Sequence, residues 1–189
     1  MRLIGSILLA CALVTPVVQA AEVEFEPVTV PVRPIQVSPR VWMVQGDVGP
    51  VSAANQGFNA NAGFVITDEG VVVFDALGSP ALGAALRARI REITPQPVRH
   101  VVISHYHADH FYGLQAFTPE GVTVWAHGLA LPYLASESPA LRLAERRESL
   151  FPWVNDRTRV VPPTKTIEGE TAFRLGGLNF RLIPAGPAH

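Results

Sequence analysis

Cysteine is almost absent: Cys11 is the only one in 189 residues. It lies in an apolar leader, so a chain freed of that leader carries none. Disulfides and thiolate metal ligands are then both excluded. Such a chain must be held by its hydrophobic core and, where it binds one, by metal. Charge is also sparse, at 16% of residues with a net value of −1. No run of Lys or Arg stands out, which argues against a nucleic-acid or anionic-membrane partner. Internal repeats and low-complexity tracts are missing as well. Apolar residues make up 48%, too many for a disordered chain and enough for one domain with a real core. The 17 prolines and 15 glycines are spread along the chain and predict many turns rather than one linker.

Residues 1–20 read as a signal peptide. Arg2 is a minimal positive start, Leu3 to Val18 is uncharged and mostly apolar, and Val18-Gln19-Ala20 supplies the small residues of a cleavage site. The stretch is nearly long enough to span a membrane, but Pro16 and its small-residue end favour removal. Leu8-Leu9-Ala10-Cys11 loosely resembles a lipobox, with Leu9 bulky for that pattern. Plain export to the periplasm is the expectation, with no stable membrane span after cleavage.

Residues 21–40 are rich in proline and valine and predict an extended lead-in with an edge strand. A domain is expected from 41 to 189. Val41 to Gln45 is a candidate strand. Asn55 to Asn61 is a polar, turn-rich loop with one exposed aromatic, Phe58. Gly63 to Thr67, the turn Asp68-Glu69-Gly70 and Val71 to Phe74 predict a hairpin. The unbroken apolar run Val71-Val72-Val73-Phe74 fits a strand buried on both faces. Ser79-Pro80 starts a helix whose Leu82, Leu86, Ile90 and Ile93 share one face. Val98 to Ser104 is the next strand. Phe111 to Phe117 predicts a short helix, Val122 to Trp125 a strand, and Ser138-Pro139 a capped helix running to about Leu150. Short strands follow, broken at Pro162-Pro163, Gly169 and Gly176-Gly177. This order predicts a layered α/β (α+β) fold with helices packed on a sheet.

The chemistry concentrates in His105-Tyr106-His107-Ala108-Asp109-His110, directly after an apolar strand. In an extended segment His105 and His107 point to one side and can grip one metal ion. Asp109 continues the alternation, and His110 swings away as the chain turns into a helix. One segment can thus serve two adjacent metals. Imidazole and carboxylate suit Zn²⁺, with Fe or Mn as other fitting ions. A single histidine is ordinarily a hydrogen-bonded structural residue. Three with an aspartate at this spacing point to metal.

The pattern His-x-His-x-Asp-His resembles the signature of the metallo-β-lactamase superfamily. Asp75 after the strand Val71 to Phe74, Asn61-Ala62-Gly63-Phe64 before it, and Gly186-Pro187-Ala188-His189 at the end are similar to further family features. The resemblance implies an αββα sandwich, of which this chain supplies the first half plus the start of the second. It implies one or two zinc ions, the first held by His105, His107 and His189 and the second by Asp109 and His110. Asp75 would brace the metal loop without touching substrate. Asp109 would also be catalytic, orienting a metal-activated hydroxide. The implied activity is hydrolysis of an ester, thioester, lactone, lactam or sulfate ester in a small molecule. The alternatives are an iron-dependent thiol dioxygenase on the same fold and a non-catalytic, truncated metal-binding fragment. The family completes its second site with an aspartate and a histidine that would follow His189, so the gene is expected to continue. A half-sandwich is expected to leave an apolar sheet face bare.

Other residues carry weaker readings. Phe58 and Asn59 would sit in a loop over the site, and Tyr112 would either line the pocket or pack beneath the loop. His100 reads as a partly exposed strand residue, His127 as a helix-start residue and Trp153 as packing. Glu145-Arg146-Arg147-Glu148 reads as the solvated face of its helix.

Overall fold

A computed structural model of the chain describes residues 24–186. The signal-peptide reading, Cys11 and His189 fall outside the described residues. Seven strands form one sheet in sequence order. They are β1 (Ile35–Ser38), β2 (Val41–Val44), β3 (Ala62–Ile66), β4 (Val71–Phe74), β5 (Val98–Val102), β6 (Thr123–His127) and β7 (Lys165–Ile167). Pairing is antiparallel from β1 to β4 and parallel from β4 to β7. Strands β8 (Thr171–Leu175) and β9 (Leu178–Leu182) form a separate antiparallel hairpin.

The switch from antiparallel to parallel follows from the connections. A four-residue connection can only return β3 into β4 antiparallel. A parallel partner requires a crossover, and α1 (Pro80–Ile93) supplies it between β4 and β5. Ser79 caps α1: its side chain accepts from the Leu82 N–H at 3.1 Å. Leu82, Leu86 and Ile90 are buried, as their spacing predicts.

Alternation along β4 sorts its side chains between two cores. Val71 and Val73 join the main core with α1, while Val72 joins a second core on the other face. That second core contains Trp125, Ile167, Phe180 and Leu182. The hairpin β8–β9 therefore covers the sheet face that was expected to be bare. Phe173 of the hairpin stacks on Trp125 at 5.3 Å and lies 4.6 Å from the ring of His100.

His100 is thus part of an interface. Trp125 Nε1–H donates to His100 Nδ1 at 3.2 Å, which requires that nitrogen to be unprotonated. Burial, then the charges of Lys165 and Arg99, push the His100 pKa below its ordinary value. The unfolded chain therefore takes up this proton more readily than the folded one. Stability from this group is present above the ordinary histidine value and is lost as pH falls through the lowered one. Urea melts of the full chain are expected to show lower stability on acidification, and His100→Gln is expected to flatten that dependence. An unchanged slope in the variant would refute the assignment.

The lead-in is tied down more firmly than its composition implies. Phe25, Val28 and Val30 pack on the main core, with Val32 inside it. Trp153 Nε1–H donates to the Pro27 carbonyl at 3.1 Å, and the Thr29 N–H donates to Gln56 Oε1 at 2.8 Å. The second long helix differs from expectation at its start. Helix α4 (Ser138–Ser149) is preceded by a short α3 (Ala130–Ala135), and its cap position is Glu137 in helical conformation. Ser138 therefore sits inside the helix and gives no capping bond. Among the described residues no helix is long and apolar enough to cross a membrane.

Candidate metal centre

The parallel strands end at one edge, where open α/β sheets place their ligands. Asp75 follows β4, and Ser104 with the histidine motif follows β5. Asp75 and Leu77 adopt left-handed backbone conformations, with φ of 61° and 69°. Such conformations are strained for these residues and persist only when neighbours hold them. Here the Asp75 N–H donates to Val102 O at 2.9 Å and the Ala76 N–H to His110 O at 2.7 Å. The turn delivers the Asp75 carboxylate to the motif. Oδ1 accepts from the Ser104 N–H and Oδ2 from the Ser104 hydroxyl, both at 2.8 Å. Oδ2 also lies 2.8 Å from His110 Nδ1.

A carboxylate can only accept, so the proton of His110 sits on Nδ1. That fixes the tautomer and leaves Nε2 as the nitrogen with a lone pair for a metal. Burial disfavours a charged His110. The Asp75 hydrogen bond and charge, followed by the charge of Asp109, outweigh it and raise its pKa above the ordinary value.

The motif's imidazoles cluster. The His105 ring lies 4.7 Å from that of His107 and 4.1 Å from that of His110. Asp109 is placed differently from the expected alternation. The chain turns helical at Ala108, with His107 at the cap position, and the His110 N–H donates to His107 O at 2.9 Å. Asp109 therefore lies in the first turn of α2 (Ala108–Phe111), not on an extended strand. Its Oδ2 accepts from Asn59 Nδ2 at 3.1 Å and lies 3.7 Å from His110 Nε2. Among the described residues, no group of three or more His, Cys, Asp or Glu is arranged to hold a metal ion. The donor chemistry nonetheless fits one: clustered imidazoles, an adjacent carboxylate, and a histidine oriented by a second carboxylate.

The sequence profile of the metallo-beta-lactamase superfamily matches residues 55–189. The chain belongs to that superfamily. Solved structures share the fold. A metallo-beta-lactamase from Pontibacter korlensis matches with a TM-score of 0.53 and 22% identity over 78% of this chain and 57% of that one. A stereoselective inverting sec-alkylsulfatase from Pseudomonas sp. matches at 0.58 and 21%, over 79% of this chain and 27% of the other. A metallo-beta-lactamase from Hirschia baltica matches at 0.51 and 18%, over 79% and 59%. The chain thus spans under two thirds of the length of each of these relatives. No curated protein matches it.

The remaining candidate residues of this superfamily member fall into place on geometry. Phe58 is buried in the main core and does not overhang the site. The backbone around it explains the inversion: Gln56 and Gly57 both take positive φ and fold the loop inward. Asn59 reaches the site, but by gripping Asp109. Tyr112 is 1% exposed and packs beneath the loop against Phe111. Burial, then neighbouring Tyr133, pushes its phenol up to about 12 against the opposing pull of Arg146 and Arg142. Burial likewise raises Tyr106. Asn59 Oδ1 and the hydroxyls of Tyr106 and Tyr112 are buried without a hydrogen-bond partner among the described residues. His127 Nδ1 accepts from the Leu129 N–H at 3.2 Å, just before α3.

The sequence reading missed Ser104 and the arginines of α4. Ser104 carried one signal, its place directly before His105. Arg147 donates to the carbonyls of Asn155 and Thr158 at 2.9 and 2.8 Å, so it ties down the following loop. Arg142, Glu145 and Arg146 line a cavity of about 540 Å³ together with His107 and Asp109. The charge cluster is therefore only partly a solvated face. A groove of similar size, about 550 Å³, runs between the lead-in and α1. Its one acidic residue, Glu92, pairs with Arg89 at 2.8 Å, and it holds no histidine.

Proposed function

We propose that this chain is the histidine-motif portion of a zinc-dependent hydrolase, exported to the periplasm, that cleaves an ester, thioester, lactone, lactam or related bond in a small molecule. The observation that carries the reading is the Asp75 network. A buried carboxylate fixes Ser104 and the His110 tautomer at once, an arrangement that serves metal ligation. Membership of a largely hydrolytic, metal-dependent superfamily supports it.

In this reading His105, His107 and His189 would hold one ion, and Asp109 and His110 would serve a second. Bound zinc supplies Lewis acidity and brings the pKa of water toward ~7. The chain's own residues do the positioning. Asp109 accepts a hydrogen bond from the attacking water and aims it at the substrate, while Asn59 holds that carboxylate in place. Asp75 keeps the His110 proton on Nδ1 throughout.

Metal analysis of the full chain purified from its native source is expected to find zinc. Chelation is expected to abolish hydrolysis of 4-nitrophenyl acetate, and zinc to restore it. His105→Ala and His107→Ala are each expected to lose bound zinc and turnover together while keeping a folded circular-dichroism spectrum. Iron in place of zinc in the native protein would overturn the hydrolase in favour of an iron-dependent thiol dioxygenase.

A further inference from the structure

Helix α4 buries only Pro139 and Leu143, so hydrophobic packing does not explain how its charged residues are arranged. Arg142, Glu145 and Arg146 fall at i, i+3 and i+4 and share one face. That face lines the cavity that also contains His107 and Asp109. Arg146 keeps only 16% of its side-chain exposure, against 50% for Arg142. A solvated helix face would leave both extended into water.

Glu145 stands between the two arginines. Its Oε2 lies 2.6 Å from Arg142 Nη1 and its Oε1 lies 3.3 Å from Arg146 Nη1. The carboxylate holds both guanidinium groups in position and cancels one of their charges. One positive charge stays uncompensated within this trio. Each guanidinium has five N–H donors, and Glu145 engages one nitrogen of each. Donors in a planar fork therefore remain for another oxyanion.

We infer that Arg142 and Arg146 select substrates bearing an oxyanion, a carboxylate or a sulfate, a short distance from the bond to be cleaved. The inference rests on the hydrolase reading for the presence of that bond, but binding of the oxyanion is measurable without turnover. The planar fork matches either group, and the shared cavity places it beside the histidine motif. Glu145 limits the site to one such group, because it opposes a second negative charge.

The test uses the full chain with two probes, glutarate and ethyl sulfate, titrated calorimetrically. At least one is expected to bind, and about 10- to 100-fold more weakly in the double variant Arg142→Ala/Arg146→Ala. A stronger response to glutarate identifies a carboxylate, and a stronger response to ethyl sulfate a sulfate. Glu145→Gln keeps one acceptor oxygen for the guanidinium groups, removes the opposing charge and is expected to tighten binding. This second variant adds no cavity, so it keeps the test decisive if the alanine variant folds poorly. In parallel, the ratio of kcat/KM for 4-nitrophenyl hemiglutarate over 4-nitrophenyl acetate is expected to fall about tenfold or more in the double variant. If neither anion binds, or binding ignores all these substitutions, the inference is overturned and the hydrolase reading stands. If arginine-dependent binding is seen with no ester cleaved, the ester arm of the hydrolase reading falls and the oxyanion site stands.

Discussion

Replacing Asp75 with alanine is expected to lower zinc affinity and turnover about 10- to 100-fold and to reduce the unfolding free energy by about 3 kcal/mol. Both effects come from one buried carboxylate. Asp75 accepts the Ser104 N–H, the Ser104 hydroxyl and the His110 Nδ1 proton. Without it the His110 donor loses its acceptor in a part-buried site, while the donors of the exposed Ser104 turn to water. Alanine also tolerates the left-handed φ of 61° less well than aspartate does. Asp75→Asn separates these causes. Asparagine accepts the backbone conformation and keeps the shape, so most stability should survive. Its amide, however, turns N–H donors toward groups that already donate. His110 is then driven to carry its proton on Nε2, the nitrogen the metal needs. Zinc affinity is therefore expected to fall in both variants, while urea stability falls mainly in the alanine variant. An asparagine variant that holds zinc within about threefold of wild type would sink the tautomer argument.

Gly113→Ala is the second large effect, and it acts through packing. The backbone of α1 at Gly83 lies against the 3-10 segment Tyr112–Ala116 at Gly113. A β-carbon on Gly113 would run into the Ala76 carbonyl oxygen and stand 2.8 Å from its carbon and 3.1 Å from Gly83 Cα. Every atom named is backbone, so no side chain can swing aside. Overpacking of this kind costs about 3 kcal/mol, a large share of the stability of an ordinary domain. The displaced strand end is the one that carries Asp75. Gly113 N–H donates to Leu77 O at 2.9 Å and Ala76 N–H to His110 O at 2.7 Å. The variant is thus expected to lose thermal stability and zinc affinity together, read by calorimetry and metal titration. A variant that melts within about 2 °C of wild type would show that the backbones separate at little cost.

Much of the fold was legible because it rests on local rules. The capping hydroxyl at Ser79, the apolar stripe Leu82, Leu86 and Ile90, and the hairpin turn at Asp68-Glu69-Gly70 each depend on a few neighbouring residues. Each stands where its spacing places it. The covered second face was not legible. Its core joins Val72, Trp125 and Phe180, residues far apart in the chain whose meeting no periodicity records. Phe58 misled for the same reason: a polar neighbourhood in sequence became a buried one in space.

The same division runs through the site. The sequence alone determined the clustering of three histidines and an aspartate in His105 to His110 and its place after an apolar strand, while the family resemblance implied Asp75 as its partner. Metal chemistry needs particular atoms, and those atoms are written in residue types and spacing. Only the tertiary structure decided how they are held. It put Asp109 into a helical turn, set Asn59 on its carboxylate, and fixed the proton of His110 through Asp75. It also turned Arg146 from a solvent-facing charge into part of a cavity wall. These outcomes depend on which strand ends meet at one edge of the sheet. That meeting is set by long-range packing, where the hydrophobic effect selects how much surface is buried and leaves the choice of neighbours to shape.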